Sequence, residues 1–372
     1  DGAFNSIIGV YFANEDVSTQ NIWNFLGAFG DYAPGSFILI AAPSFKIDRS
    51  SLALYANSTF DLTDNLSVIV GLRYNKEEND LVNANVALYK HSQNPRVDAP
   101  MAFAIKPISL DKEESKLTWK LGLDYTSDDD TLIYGSVSKG YRSGNWNPGM
   151  LLYESDVSYA KPEIVYAYEV GSKSRFLDES VQLNAALFYY DYTDQQFINL
   201  TPNFEQTLVN GDKSEVYGAE LEVTARPMEG LVLTAGAGWL HTEYTKLVLN
   251  DTDLSGNRLI SSPKSNLNVS GSYTFGLGSG KLNLYMDAGY VGQQYFSAFN
   301  KGPDHRGVSQ NGYTLVNARA TWTMNDWSVS TWVKNLTNKD ILVYSVGVAG
   351  LGYNYEQHND PRMYGVDVNF NF

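Results

Sequence analysis

The sequence predicts an all-β fold, an antiparallel transmembrane β-barrel of which about 14 strands lie within these 372 residues. Three observations carry that expectation. Apolar and polar residues alternate with period two in segments of roughly nine to twelve residues, the length of a tilted membrane-spanning strand. Tight and long connections alternate strictly along the chain, as they do when turns gather at one end of a barrel and loops at the other. No apolar run approaches the ~18 residues of a spanning helix, and mean hydropathy is −0.28. A barrel remains open, because half of its strand residues can be polar.

Taken in order, strands are expected near 4–14 and 49–62, then across 66–77, where Leu66, Val68, Val70, Leu72 and Tyr74 oppose Ser67, Ile69, Gly71 and Arg73. Segment 116–127 is cleaner, with Leu117, Trp119, Leu121, Leu123 and Tyr125 against Thr118, Lys120, Gly122 and Asp124. Strands near 132–143, 163–177 and 181–197 follow. In 213–227, Tyr217, Ala219, Leu221, Val223 and Ala225 alternate with Gly218, Glu220, Glu222, Thr224 and Arg226. After 231–245, segment 264–275 sets Leu267, Val269, Gly271, Tyr273 and Phe275 against Asn268, Ser270, Ser272 and Thr274. Strands near 281–296, 313–324 and 327–337 lead to 362–372, where Tyr364, Val366, Val368, Phe370 and Phe372 close the series. Short turns are expected at 63–65, 127–130, 178–180, 228–230, 276–280 and 325–326. Long connections cover about 15–48, 78–115, 144–162, 198–212, 246–263, 297–312 and 338–361. This even count puts both chain ends on the short-turn, periplasmic side.

Charge decides which face meets lipid. One face of the strands is almost free of charge; the other carries Arg73, Lys120, Asp124, Glu169, Lys173, Arg175, Glu220, Glu222, Arg226, Asp287, Arg319, Lys334 and Asp367. A Lys or Arg on the lipid face at mid-bilayer costs about 2–4 kcal/mol, so the charged face is the lumen, where opposite signs can pair across strands. Aromatic residues near strand ends (Trp119, Tyr125, Tyr273, Phe275, Trp322, Trp327, Phe370 and Phe372) have the placement of an interfacial girdle. A soluble β-sandwich also alternates, but has no reason for a one-ended loop asymmetry.

Composition narrows the function. Lys and Arg number 27 against 42 Asp and Glu, a net charge of −15, which argues against a nucleic-acid partner. Cysteine is absent, which removes disulfides, thiolate nucleophiles and Cys-ligated metals. The segment Asp1-Gly2-Ala3-Phe4 has neither a basic nor an apolar leader region, so a mature or partial chain is expected.

No catalytic constellation is present, and an enzyme is not expected. Glu220 and Glu222 lie on the lumen face near Arg226, where charge pairing is the simpler role. Asp128, Asp129 and Asp130 read as a solvated turn rather than a calcium site. His91, His241, His305 and His358 fall in or near the outer loops, far apart in sequence, and are read as solvated; neither a metal nor a cofactor is expected. A captured ligand would meet the loops and the outer lumen wall. Tyr141, Arg142, Asn145, Trp146 and Asn147 form the first candidate group, where a strand runs out into a loop; Tyr190, Tyr192, Gln195 and Gln196 form the second. Aromatic faces stack on planar ligands, Arg holds carboxylates and amides fix orientation. The interfacial girdle is the competing role: for Trp146 it stands equal with ligand stacking, and for the tyrosines it is the simpler reading.

Several stretches resemble the barrel of the TonB-dependent outer-membrane receptors. They are Gly9-Val10-Tyr11-Phe12-Ala13-Asn14-Glu15-Asp16, Gly71-Leu72-Arg73-Tyr74, Tyr134 through Gly144, Lys161-Pro162-Glu163, Tyr168 through Lys173, Tyr217 through Glu222, Val333 through Asn338, and Pro361-Arg362 through Phe372. Their order and spacing cover nearly the whole chain. The resemblance implies a 22-stranded barrel in the bacterial outer membrane, filled by a plug and energised by TonB. Residues 1–372 would be its C-terminal portion, with no plug domain and no TonB segment among them; eight strands and the plug would lie upstream or on a partner chain. It further implies import of a scarce ligand such as a ferric siderophore, and recognition of the terminal Phe372 by the barrel-insertion machinery. Haem-importing members show Phe-Arg-Ala-Pro followed by Asn-Pro-Asn-Leu; here the corresponding region reads Gly140-Tyr141-Arg142-Ser143-Gly144-Asn145-Trp146-Asn147-Pro148-Gly149, which speaks against haem. A self-contained 14-stranded passive channel is the alternative, and a surface adhesin is a third class.

Overall fold

The computed structural model describes residues 4–24, 39–90, 94–127, 131–147, 157–200, 206–300, 308–348 and 353–371. The 127–130 turn aspartates Asp128 to Asp130, together with His91, His305 and Phe372, lie outside the described residues.

The described residues contain no helix; they form one large antiparallel sheet and a few small hairpins. We number the sheet strands in chain order as β1 (Phe4–Gln20), β2 (Leu39–Asp61), β3 (Leu66–Lys90), β4 (Ala102–Thr126), β5 (Leu132–Arg142), β6 (Glu163–Phe176) and β7 (Val181–Leu200). The rest are β8 (Gln206–Met228), β9 (Leu231–Lys246), β10 (Ser265–Leu277), β11 (Gly280–Val291), β12 (Tyr313–Met324), β13 (Trp327–Lys334) and β14 (Met363–Phe370). Each pairs with its sequence neighbours, and the six short connections all fall at one end. Every expected strand is present. Among the described residues the sheet order ends at β1 and β14, which do not pair with each other. The passive-channel alternative needs that closure and is not supported.

Cross-strand register fixes the two faces. Val70, Leu121 and Val137 stand opposite one another on β3, β4 and β5, one row from Gly71, Lys120 and Ser138. Leu72, Leu117, Leu121 and Leu123 are each about half exposed, between 49% and 52%, as a lipid-facing wall of a lone chain must be. Aromatic rings meet at both rims: Trp327 with Phe370 at 4.8 Å on the periplasmic side, and Tyr168, Tyr189, Tyr217 and Trp239 in a continuous row on the outer side.

The first four strands overrun their expected limits. Residues 15–20, 39–48, 78–90 and 102–115, read from sequence as loop, continue the ladder. β3 and β4 reach 25 residues each, roughly 85 Å of extended chain against an apolar band about 25 Å tall. Beyond the membrane the outer face needs no apolar residues. There Asp16, Asp48, Asp80 and Asp111 stand in one cross-strand row. Burial first, and then the charges of Asp111, Glu78 and Asp48, push the Asp80 carboxyl up. Lys46 bridges Asp16 and Asp48, and Lys76 bridges Glu78 and Glu113. The opposite face of this extension is apolar: Phe45, Ile47, Leu81, Val86 and Ile105 form a buried cluster.

Aromatic rings lie over glycines on the lumen face of the wall, Tyr55 over Gly9 and Tyr134 over Gly171. Tyr134 faces Gly171 across β5 and β6. A Cβ on Gly171 would come within 2.5 Å of the Tyr134 ring and 2.7 Å of the Ala185 carbonyl oxygen. We expect Gly171→Ala to destabilise the folded wall by about 1–3 kcal/mol, the usual range for overpacking, measured as a lowered urea midpoint in lipid vesicles. Adding Tyr134→Ala should restore part of the loss, leaving the share due to Ala185.

Candidate functional site

At the outer end of the lumen face, β2 to β5 line a cavity of 750 Å³. Its cations on this face are Arg73, Lys120 and Arg142, against the single carboxylate of Glu77. The alternation puts them there: Arg73, Asn75 and Glu77 are successive inward positions of β3. The Arg73 Nε donates to Asn75 Oδ1 at 2.6 Å, and its guanidinium lies over the rings of Tyr11 at 5.0 Å and Tyr55 at 5.8 Å. Tyr141 donates its phenol to Glu77 Oε1 at 2.9 Å, while Glu77 Oε2 is buried without a partner. Arg142 stands opposite Glu163 in the ladder.

Above this cavity the chain after β5 turns inward instead of out to solvent. Asn145–Trp146 pairs with Tyr159–Ala160 in a two-rung hairpin stem. Trp146 is 3% exposed and packs into the Phe45, Ile47, Leu81, Val86 and Ile105 cluster. Its indole N–H donates to the Asn79 carbonyl at 2.8 Å, and Tyr159 meets its ring edge-on at 4.9 Å. Polar groups from four strands clamp the stem. Arg49 donates to Asn145 Oδ1 at 3.0 Å, Asn79 Nδ2 donates to the Gly144 carbonyl at 3.1 Å, and the Gly144 N–H donates to Glu114 at 3.3 Å. From β7, Gln196 Nε2 donates to the carbonyls of Ser143 and Lys161 at 2.8 and 2.9 Å. Burial, and then its hydrogen bond to Glu114, push the Tyr159 phenol well above its ordinary range.

The candidates from sequence therefore separate. Tyr141 and Arg142 line the cavity. Asn145, Trp146 and Asn147 belong to the stem, with Trp146 and Asn147 both buried. Tyr190 and Tyr192 line a second lumen cavity of 600 Å³ together with Lys120, Asp124, Glu169 and Lys173. Gln195 accepts from Ser214 at 2.8 Å and Gln196 holds the stem, so neither joins those tyrosines. Sequence reasoning missed Arg49, Glu77, Asn79 and Glu114. Arg49 and Glu77 are the terminal residues of the strands expected at 49–62 and 66–77, while Asn79 and Glu114 lie in the 78–115 segment read as a long connection; once β3 and β4 are extended, alternation marks Asn79 and Glu114 as inward positions.

The expected charge pairing is largely replaced by neutral partners. Within the thirteen lumen charges, the described residues make one ion pair, Arg319 with Asp367 at 3.0 Å. Arg175 pairs outside the set, with Glu179 at 3.8 Å. Glu222 accepts from Asn184, Asp287 accepts from Asn317, and Lys173 and Lys334 lie over the rings of Tyr134 and Trp332. Glu220 and Glu222 do not pair with Arg226, because register sets them opposite Gly238 and Gly236 on β9 and opposite Ala186 and Asn184 on β7. Of the two described histidines, His241 stacks on Tyr217 at 4.6 Å. His358 sits between Asp340 at 2.7 Å and Glu356 at 3.7 Å, and the Asp340 hydrogen bond holds its pKa up. No group of three His, Asp or Glu suited to a metal occurs among the described residues.

Comparison with known proteins places this wall. The family profile described as "TonB dependent receptor-like, beta-barrel" matches residues 3–336. The chain is similar to the pesticin receptor of Yersinia pestis, 25% identical over 329 residues, covering 87% of this chain and 44% of that protein. It is also similar to the ferric-pyoverdine 358 receptor of Pseudomonas putida, 23% identical over 345 residues and covering 91% and 37%. Among solved structures, the ferric yersiniabactin uptake receptor of Yersinia pestis superposes with a TM-score of 0.71 at 19% identity, covering 100% of this chain and 56% of that one. The siderophore receptor PiuA of Acinetobacter baumannii gives 0.72 at 17% identity, covering 99% and 53%. The chain thus spans about half the length, or less, of the proteins it matches. With fourteen strands in order, a charged lumen face and an apolar outer wall, the chain belongs to the TonB-dependent receptor family and forms part of its outer-membrane β-barrel.

Proposed function

We propose that this chain forms the wall and outer vestibule of a TonB-dependent importer of an anionic iron complex, a ferric siderophore in the first instance. The observation that carries the reading is the outer cavity, in which Arg73, Lys120 and Arg142 face one carboxylate beside the rings of Tyr55 and Tyr141. Its 750 Å³ suits a drug-sized ligand, and such a lining favours carboxylate or catecholate groups over neutral or cationic ones. The relatives bearing siderophore-receptor names support the same reading. The transport step would need TonB acting on a plug, neither of which these residues supply; the outer wall contacts membrane lipid, and Phe372 would serve the insertion machinery. No covalent chemistry is involved: the residues bind, orient and release.

The test is binding and radio-iron uptake by the receptor in its own outer membrane, using a ferric catecholate, ferric citrate and a neutral ferric hydroxamate. We expect one of the two anionic complexes to bind. The triple variant Arg73→Gln, Lys120→Gln, Arg142→Gln should weaken it at least 100-fold, about 2.7 kcal/mol. Uptake should vanish without TonB. Unchanged affinity in the triple variant, or binding of the neutral complex alone, would sink the proposal.

A further inference from the structure

We propose that the second lumen cavity is an aryl-selective transit site, where tyrosine rings receive a planar aromatic arm of the iron complex as it leaves the outer cavity. The proposal deepens the importer reading and rests on it. Lys120 and Ser138 line both cavities, so the two are continuous. From that shared wall the second cavity, 600 Å³ in volume, extends toward the periplasm across β4 to β7. Tyr192 and Tyr190 stand eleven and nine residues from the periplasmic end of β7 at Val181, and Tyr134 stands two from that of β5 at Leu132. At a tilt of about 40° these positions lie about 29, 23 and 5 Å above the inner rim, nearly the whole height of the apolar band. The cavity is therefore a long upright groove. Register keeps its ring faces open. Tyr190 stands opposite Ala167 and Tyr134 opposite Gly171, so no bulky side chain directly across on β6 covers either ring. Phe188, the next inward residue of β7, stacks on Tyr190 at 5.0 Å and 23°, which fixes the plane of that ring from one side. Lys173 Nζ is 6.0 Å from the centre of the Tyr134 ring, so the lower end of the groove offers an aromatic face and a cation together.

Charge changes along this path. The outer cavity sets Arg73, Lys120 and Arg142 against Glu77; the second sets Lys120 and Lys173 against Asp124 and Glu169. The electrostatic hold on an anion weakens as it moves inward, and stacking on Tyr192, Tyr190 and Tyr134 is the attraction that remains. An aryl arm gains that stacking. A ring-free carboxylate complex gains nothing from it and meets two carboxylates. The arrangement selects catecholate over citrate-type complexes at a step after capture, and passes the ligand on instead of trapping it.

The test uses the whole receptor in its own outer membrane with TonB present, and reads equilibrium binding and radio-iron uptake of a ferric tris-catecholate and of ferric citrate. In the double variant Tyr190→Leu, Tyr192→Leu, catecholate uptake should fall at least tenfold while its Kd stays within twofold of the parent. The conservative pair Tyr190→Phe, Tyr192→Phe should recover at least half of the parental rate. Heat-modifiable gel mobility checks folding, and vancomycin sensitivity reports any loosening of the wall around its filling. Parental uptake in the Leu variant overturns the transit site. So does vancomycin entry in that variant, which would assign the rings to packing, or an equal loss in the Phe variant. A Kd that rises in step with the loss of uptake places the rings in capture and overturns transit as well. A receptor that does not take up the catecholate overturns it too; if ferric citrate is bound instead, the outer cavity still stands. Failure of the outer cavity shows separately, as unchanged affinity when Arg73, Lys120 and Arg142 are replaced.

Discussion

Leu121→Arg is expected to remove most of the assembled protein from the membrane, whereas Ser136→Arg, one row away on the facing strand, leaves it assembled. Leu121 points outward, is 49% exposed and stands opposite Val70 and Val137. It lies five residues from the periplasmic end of β4 at Thr126, which sets it about 13 Å above the rim, close to the bilayer midplane. An arginine there costs about 2–4 kcal/mol, some 30- to 1000-fold in the folded fraction. Ser136 lines the lumen cavity and stands opposite Glu169, so a guanidinium there gains a carboxylate. Thr118 is a poorer control, because it faces Arg73 directly and would set two cations opposite each other. The measurement is heat-modifiable gel mobility of outer-membrane fractions, with urea midpoints in vesicles for whatever assembles. Equal losses in the two variants would reverse the assignment of inside and outside.

That contrast shows why the wall was legible. Within the bilayer a strand must be apolar on one side and is free on the other, so register is written into every second residue. β4 and β12 could be bounded to within a residue at their periplasmic ends for this reason. The demand stops at the outer rim. Past Tyr74 the outward residues of β3 are Lys76, Glu78 and Asp80, types depleted in strands, and nothing local distinguishes them from a loop. What holds them in the ladder is non-local: the inward side chains of Phe45, Leu81 and Ile105, brought together from three strands and capped by Trp146.

The site was legible to a lesser extent, for a related reason. Tyr141 and Arg142 could be named because they stand where a strand runs out into a loop at the outer rim. The partners that build the cavity and the stem (Tyr55, Glu77, Asn79 and Glu114) belong to other strands, and pairing between strands this far apart in sequence has no local signature. Trp146 shows the cost. From sequence it is equally an interface residue or a ligand-stacking face. In the structure its ring is spent on packing and its N–H on a backbone carbonyl.

Trp146→Ala is therefore expected to release the stem from the wall without unfolding the sheet. Removing a buried Trp side chain costs about 3–5 kcal/mol, and the Asn79 carbonyl loses its donor, about 1–3 kcal/mol more if it stays dry. The clamp that remains is polar: Arg49 to Asn145, Asn79 and Glu114 to Gly144, and Gln196 to Ser143 and Lys161. Once water reaches these groups they exchange protein partners for solvent at a net cost of about 0.5–1.5 kcal/mol each, and a two-rung hairpin does not stand alone. β5 and β6 keep their own ladder, eleven paired positions from Leu132↔Lys173 to Arg142↔Glu163. Hydrogen exchange separates the two levels. The Asn147 amide, bonded to the Ser158 carbonyl at 2.8 Å, should exchange at least 100-fold faster in Trp146→Ala, while amides of Ser136 and Glu169 keep the parent rate. Trp146→Phe, which retains a ring but not the N–H, should fall between. If Trp146→Ala leaves Asn147 protected, the polar clamp alone holds the stem and the apolar wedge is dispensable. If it exposes Ser136 as well, the stem is what holds the wall together, and the vestibule and the sheet fold as one unit.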